Sequence, residues 1–342
     1  MNELPALFGL TLDELEALAA ENGWPRYSGK QITQWLYRQQ VDRIDRMTNL
    51  PMRMRETLGH RYRLGVSLPE HVQISRDRTR KYLFPAGEKR FVEAAYIPDE
   101  KRNTLCLSCQ VGCKMGCSFC MTGKQGFHGN LPAGEIVNQY RSLPERDRVT
   151  NIVYMGMGEP LDNLNEVLKS TQIFTAEWGY AMSPRRITVS TIGLTGPLHR
   201  FLHESQCHLA VSLHSPFEEE RRQLMPLASL HPLKELIAEL RSFDFGRQRR
   251  LSFEYIMFRD VNDTPRHIRE MTRLLNGLRC RVNLIRFHPV PGISLESSNE
   301  RTIEEFMVSL NRKGIRTTIR ASRGQDISAA CGMLSTAEQM KR

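Results

Sequence analysis

The chain has 342 residues, 40% hydrophobic and 25% charged, with 17 prolines; this is the make-up of a globular chain and excludes disordered and fibrous classes. Lys and Arg number 48 against 38 Asp and Glu, and the resulting formal charge of +10 favours a polyanionic partner without identifying one. No run of 18 apolar residues occurs, and the start MNELPALFGLTLDELEALAAENG carries acids where a secretory signal has a basic segment. The expectation is a cytoplasmic chain, without membrane spans, whose eight cysteines stay reduced.

Residues 1–25 hold five acids (Glu3, Asp13, Glu14, Glu16, Glu21) and no Lys or Arg, whereas residues 26–63 hold nine basic side chains against three acids. The patterns Thr11-x-x-Glu14 and Ser28-x-x-Gln31 each read as a capping box opening an amphipathic helix, and a third helical pattern runs from about Pro51 to His60. We therefore expect a small helical unit over residues 1–70. Its basic and aromatic side chains (Arg26, Tyr27, Lys30, Trp35, Tyr37, Arg38, Arg53, Arg55, Arg61, Tyr62, Arg63) suit a grip on folded RNA. The competing reading is a solvated helical face with Trp35 and Leu36 in the core.

Over residues 71–98, the runs HVQIS, RKYLF and RFVEAAYI alternate with turns and predict a small antiparallel sheet linking two parts, with PAGE as its middle turn. From about Leu105, the runs NIVYM, RITVST, HLAVSL, LSFEYIM, RVNLIRF and RTTIRA alternate with helical stretches, the rhythm of a parallel sheet. Six such units fit an incomplete or open α/β barrel, of (β/α)6 type, over residues 99–342 better than a closed eight-fold one.

Five of the eight cysteines lie between Cys106 and Cys120, in TLCLSCQVGCKMGCSFCMTG. Cys113, Cys117 and Cys120 have the spacing Cys-x3-Cys-x2-Cys, and three thiolates on one tight loop can hold three corners of a [4Fe-4S] cluster and leave the fourth iron open. The alternative is a structural zinc site completed by Cys106, Cys109 or His128. Against it stands the lack of a second Cys knuckle downstream.

That spacing, with Phe119 before the last cysteine, resembles the signature of the radical S-adenosylmethionine superfamily. Four further stretches resemble the RlmN-type adenosine C2 methyltransferases: EAAYIP from Glu93, GMGEPLDN at 156–163, SPRRITVSTIGL at 183–194 and RASRGQDISAACGML at 320–334. The resemblance runs nearly end to end. It implies a radical S-adenosylmethionine barrel whose cofactors are a [4Fe-4S] cluster on Cys113, Cys117 and Cys120 and S-adenosyl-L-methionine. It also implies cofactor contacts from Gly158, Glu159, Ser190, Ser212, Leu213 and His214, and from His288, where relatives commonly carry asparagine before proline.

Carbon 2 of adenine is electron-poor and does not attack an electrophilic methyl group, which is why such a reaction needs radical chemistry. The resemblance implies that Cys331 first accepts a methyl group, that a methylene radical formed there adds to the ring, and that a disulfide with Cys106 releases the product. Glu93 is the implied proton acceptor, with Cys106 as the other candidate. Cys109, Cys207 and Cys280 carry no implied role. The implied substrates are an adenosine of the peptidyl-transferase centre in 23S rRNA and one beside the anticodon in tRNA, with an electron donor such as flavodoxin or ferredoxin and a monomeric enzyme. Two rivals stand beside this: a related enzyme acting at carbon 8, against which Pro160 speaks, and a zinc-stabilised RNA-binding protein without catalysis.

Overall fold

A computed structural model describes residues 4–87, 90–289 and 292–336. The first helix, α1 (Leu12–Glu21), opens with the expected capping box: Thr11 Oγ1 accepts from Glu14 N, and Glu14 Oε2 accepts from Thr11 N at 2.7 Å. The second, α2 (Tyr27–Thr33), does not open at Ser28. Its first turn is closed by Ser28 N donating to Pro25 O and Gly29 N to Arg26 O, and Ser28 is buried inside the helix. Packing decides this start: a Cβ on Gly29 would stand 2.7 Å from Glu16 Cα, so the two helices cross where a cap would otherwise face solvent. A π-helical turn (Gln34–Arg38) and α3 (Met52–Arg61) complete the unit.

The strands β1 (His71–Ile74), β2 (Arg80–Pro85) and β3 (Phe91–Ile97) form the expected antiparallel meander. They do not make a separate sheet. β3 pairs antiparallel with β4 (Thr104–Cys106), which joins the meander to the main sheet. Of the PAGE turn, Ala86 N donates to Arg90 O, and Glu88 lies outside the described residues.

A short hairpin, β5 (Gln110–Gly112) and β6 (Phe127–Asn130), stands apart from that sheet and brackets α4 (Met121–Lys124). Beyond it come β7 (Asn151–Tyr154), β8 (Ile187–Thr191), β9 (His208–Ser212), β10 (Leu251–Met257), β11 (Cys280–Arg286) and β12 (Arg316–Ile319). With β4, they form seven consecutive parallel strands, one more than the sequence rhythm showed; β4 is only three residues long and has no periodicity to read. β1 and β12 occupy opposite edges of the ten-stranded sheet, so the barrel is open.

The helices α5 (Ala133–Arg141), α6 (Leu164–Thr175), α7 (Thr195–Glu204), α8 (Glu218–Leu224), α9 (Leu233–Ser242), α10 (Pro265–Leu275) and α11 (Glu300–Arg312) fill the crossovers. Strand alternation then sorts the side chains. Ile152, Val189, Val211, Phe253 and Leu284 are fully buried on one face, whereas Val153, Ser190, Ser212, Glu254 and Ile285 line the cavity on the other. Each such buried apolar side chain contributes about 1.5–3 kcal/mol. Among the described residues, no helix is long and apolar enough to cross a membrane.

Candidate active site

The cysteine loop leaves β4 and is shaped by the β5–β6 hairpin. Cys113 N donates to Gly126 O at 3.0 Å, and a Cβ on Gly112 (φ +74°) would lie 1.7 Å from that same oxygen, so only glycine fits. Cys120 N donates to Cys117 O, and the ring of Phe119 packs edge-on against His214 at 4.8 Å and tilted against Phe258 at 5.6 Å. Cys113, Cys117 and Cys120 thereby face one cavity of about 420 Å³.

Burial pushes the Cys113 thiol up to about 12 and the Cys117 thiol well above its ordinary value. Both are neutral thiols until a metal group displaces their protons. Three thiols on one loop facing one cavity suit a cluster bound at three corners; among the described residues, no three His, Cys, Asp or Glu side chains converge on one metal-ion position. Two of the three candidate fourth ligands of a zinc site are engaged elsewhere, and the third, Cys106, is a free thiol lining the same cavity. Cys109 is buried with its sulfur toward Met157 O, and His128 Nε2 meets Gln125 O at 3.0 Å.

After β7, the glycines admit the protein's own backbone. A Cβ on Gly156 would stand 2.6 Å from Leu107 O, and one on Gly158 (φ +100°) 2.6 Å from Gln110 Cβ, so the turn packs directly on the cysteine loop. Gly158, Glu159 and Pro160 all line the cavity. The Glu159 carboxylate accepts from Leu161 N at 3.1 Å and Ile192 N at 3.0 Å; burial pushes its pKa up to about 7 against these hydrogen bonds.

Ser190, Ser212, His214 and His288 line the same cavity at or just beyond the carboxyl ends of β8, β9 and β11. Leu213, expected with them, turns its side chain into the core by strand alternation and is 0% exposed. His214 sits at φ +54°, braced by Asn262, whose Nδ2 donates to His214 O at 2.7 Å. Its Nδ1 accepts from Ile256 N at 3.1 Å, and burial pushes its pKa down to about 3, so the ring is neutral with a proton on Nε2. His288 Nε2 meets Ser322 Oγ at 2.9 Å, and burial lowers its pKa as well.

The C-terminal segment brings Cys331 to this cavity from more than two hundred residues away. Met121 N donates to Gly332 O at 2.8 Å, and Thr122 Oγ1 to Leu334 O at 2.7 Å. Cys331 is exposed, while Cys106 is buried nearby, its pKa pushed up to about 12 by burial and then by the charge of Cys331. Both are free thiols.

Arg320, which the sequence reading did not single out, lines the cavity with Cys331, feels its charge, and is held by Glu254 at 3.5 Å. Asn283 and Ser252 in turn donate to Glu254 Oε1 at 2.8 and 3.1 Å. The signal available was alternation, since Thr318 and Arg320 share one face of the run RTTIRA.

Glu93 does not line the cavity. Its carboxylate is buried, ion-paired with Lys81 Nζ at 3.0 Å, and accepts from Ser335 N at 2.9 Å, which anchors the segment carrying Cys331. In the N-terminal unit, Tyr37 is core rather than grip: its hydroxyl accepts from Gly9 N and donates to Leu10 O. Arg26 pairs with Glu16, and Arg61 with Asn22, and both arginines are exposed, as are Tyr27, Lys30 and Arg53.

Residues 107–275 match the family model of the radical SAM superfamily, and residues 6–64 match that of the ribosomal RNA large subunit methyltransferase N-terminal domain. A protein of Bacteroides thetaiotaomicron named "Probable dual-specificity RNA methyltransferase RlmN" is 55% identical over 99% of this chain and 98% of its own. The "Dual-specificity RNA methyltransferase RlmN" of Alcanivorax borkumensis is 40% identical over 96% of this chain and 89% of its own. In structure, the chain is similar to a radical SAM methyltransferase from Sphaerobacter thermophilus, with a TM-score of 0.90 and 42% identity over 96% of this chain and 99% of that one.

Proposed function

The chain belongs to the RlmN family of radical S-adenosylmethionine RNA methyltransferases, and from that premise we propose that it methylates carbon 2 of adenosine in 23S rRNA and in tRNA. The observation that carries this reading is the meeting of two separate cysteine sets in one cavity: Cys113, Cys117 and Cys120 from the loop, and Cys106 and Cys331 from β4 and the C-terminal segment. A cysteine loop alone serves many radical reactions; the second pair suits one that passes a methyl group through a protein thiol.

Cys113, Cys117 and Cys120 hold the [4Fe-4S] cluster in this reading, and Gly158, Glu159, Ser190, Ser212, His214 and His288 hold S-adenosyl-L-methionine. The bound cluster supplies the electron that starts radical chemistry. Cys331, exposed to the cavity, accepts the methyl group at its sulfur, with the Arg320 guanidinium steadying the thiolate. Cys106 closes the disulfide that frees the product.

The candidate proton acceptors are Cys106, which lines the cavity but is a protonated thiol before reaction, and Glu93, a carboxylate that stands behind the lining on Lys81 and Ser335 N. The exposed Tyr27, Lys30 and Arg53 suit contact with RNA backbone. A small acidic electron carrier of the flavodoxin or ferredoxin kind, a monomeric state and a cytoplasmic setting, where free thiols persist, complete the proposal.

The test is an anaerobic assay with reductant, S-adenosylmethionine and protein-free 23S rRNA or tRNA, with nucleosides analysed by mass spectrometry. The expected product is 2-methyladenosine, lost in Cys331→Ala. Only 8-methyladenosine would assign the related carbon 8 activity, and colourless protein retaining stoichiometric zinc and modifying nothing would leave an RNA-binding protein.

A further inference from the structure

Arg221 on α8 is 0% exposed, the largest fully enclosed side chain among the described residues. Its Nη2 donates to Ile192 O at 3.0 Å and Ser212 O at 3.4 Å, while Nε and Nη1 have no partner. No carboxylate among the described residues forms an ion pair with it; Glu218, one turn away, is the nearest influence of opposite charge, with Oε2 accepting from Leu233 N at 2.7 Å and Oε1 buried without a hydrogen bond. A buried guanidinium with two unmet donors and no carboxylate within ion-pair distance is disfavoured unless further negative charge is supplied beside it.

The side chain's surroundings show where that charge would be. α8 is fastened to the cysteine loop, with Ser118 N and Oγ both donating to Leu224 O at 2.9 and 3.3 Å. This places Arg221 so that its charge acts on Cys117 beside Ser118 and on His214. Three thiolates around an iron-sulfur group bring net negative charge into this part of the protein, and one more on reduction.

We propose that Arg221 is the buried counter-ion of the cluster: its fixed charge beside Cys117 offsets the thiolates and makes the reduced state easier to reach. This rests on the reading that Cys113, Cys117 and Cys120 hold the cluster. Arg221 touches no substrate and acts through Cys117, so it is a positioning residue. Its two carbonyl contacts also tie the ends of β8 and β9, and a purely structural role would be limited to that tie.

The test is a spectroelectrochemical titration of the reconstituted full-length protein, comparing wild type with Arg221→Met and Arg221→Lys. Loss of one buried charge lowers the reduced-to-oxidised ratio at fixed potential by about tenfold, a midpoint about 59 mV more negative for a one-electron couple. Arg221→Lys keeps the charge and is expected to stay within about threefold of wild type.

A Met variant that holds the cluster at the wild-type potential overturns the proposal, as does an equal loss in Met and Lys variants. Should the Met variant fail to assemble, the Lys variant decides: a wild-type ratio supports the charge role and a tenfold loss refutes it. Wild type that assembles no cluster defeats the underlying reading instead.

Discussion

The loop from Cys106 to Cys120 is fixed largely by its own backbone and by glycines that admit nothing larger, whereas the segment from Gly324 to Thr336 is held mostly by side chains reaching to it from elsewhere. Gln125 alone meets both Ser335 and Thr336, at 3.0 to 3.2 Å. The contrast matches the two tasks. A cluster cage needs constant spacing between sulfurs, while a thiol that receives a methyl group and later meets a partner thiol must address different groups in turn. Cys331 is exposed and lies on no strand; Cys106 ends a buried one.

The largest effect expected is from the loop. Cys117→Ala should lose the cluster's visible absorbance, cofactor cleavage and RNA methylation together, measured on protein reconstituted anaerobically. Cys331→Ser should separate these properties: cluster and reductive cofactor cleavage stay, and nucleoside analysis finds no methyladenosine. If both variants lost the cluster, the division between cage and arm would fail.

Gly158→Ala adds a Cβ against Gln110 in a left-handed backbone, a strain of roughly 1–3 kcal/mol, and S-adenosylmethionine affinity should fall about tenfold or more by equilibrium dialysis. Gln125→Leu removes anchors of the C-terminal segment worth about 0.5–1.5 kcal/mol each. Turnover should drop several-fold while iron content is unchanged; lost iron would show that the arm also supports the cage.

At neutral pH the effect of protonating Glu159 is only about twofold, and it grows as the pH falls. Burial pushes Glu159 up to about 7, and the ammonium of the cofactor pairs with the ionised form only. Affinity is then full above that pH and falls by up to tenfold per unit below it, a slope that Glu159→Gln should flatten. A dissociation constant independent of pH between roughly 5.5 and 8 would remove Glu159 from the ammonium contact.

The same contrast governs what the sequence made legible. Local spacing was readable: the three loop cysteines, the Thr11 capping box and the six longer barrel strands follow from patterns a few residues long. Whatever depended on distant partners was not. Ser28 lost its capping role to a helix crossing at Gly29, Tyr37 went to the core through Gly9 and Leu10, and β4 was too short to show a period. Arg221 read as one charge in the run EEERRQL, yet it is enclosed under two strand ends. Leu213 shows the reverse case, a motif residue that alternation turns away from the cavity.

In the proposed mechanism, Cys331 joins enzyme to RNA and Cys106 releases it. The most direct measurement is denaturing electrophoresis of Cys106→Ala after anaerobic reaction with RNA, alongside Cys106→Ala/Cys331→Ala. A nuclease-sensitive protein–RNA adduct is expected in the single variant and none in the double. Free 2-methyladenosine formed by Cys106→Ala at the wild-type rate, with no adduct, would contradict it.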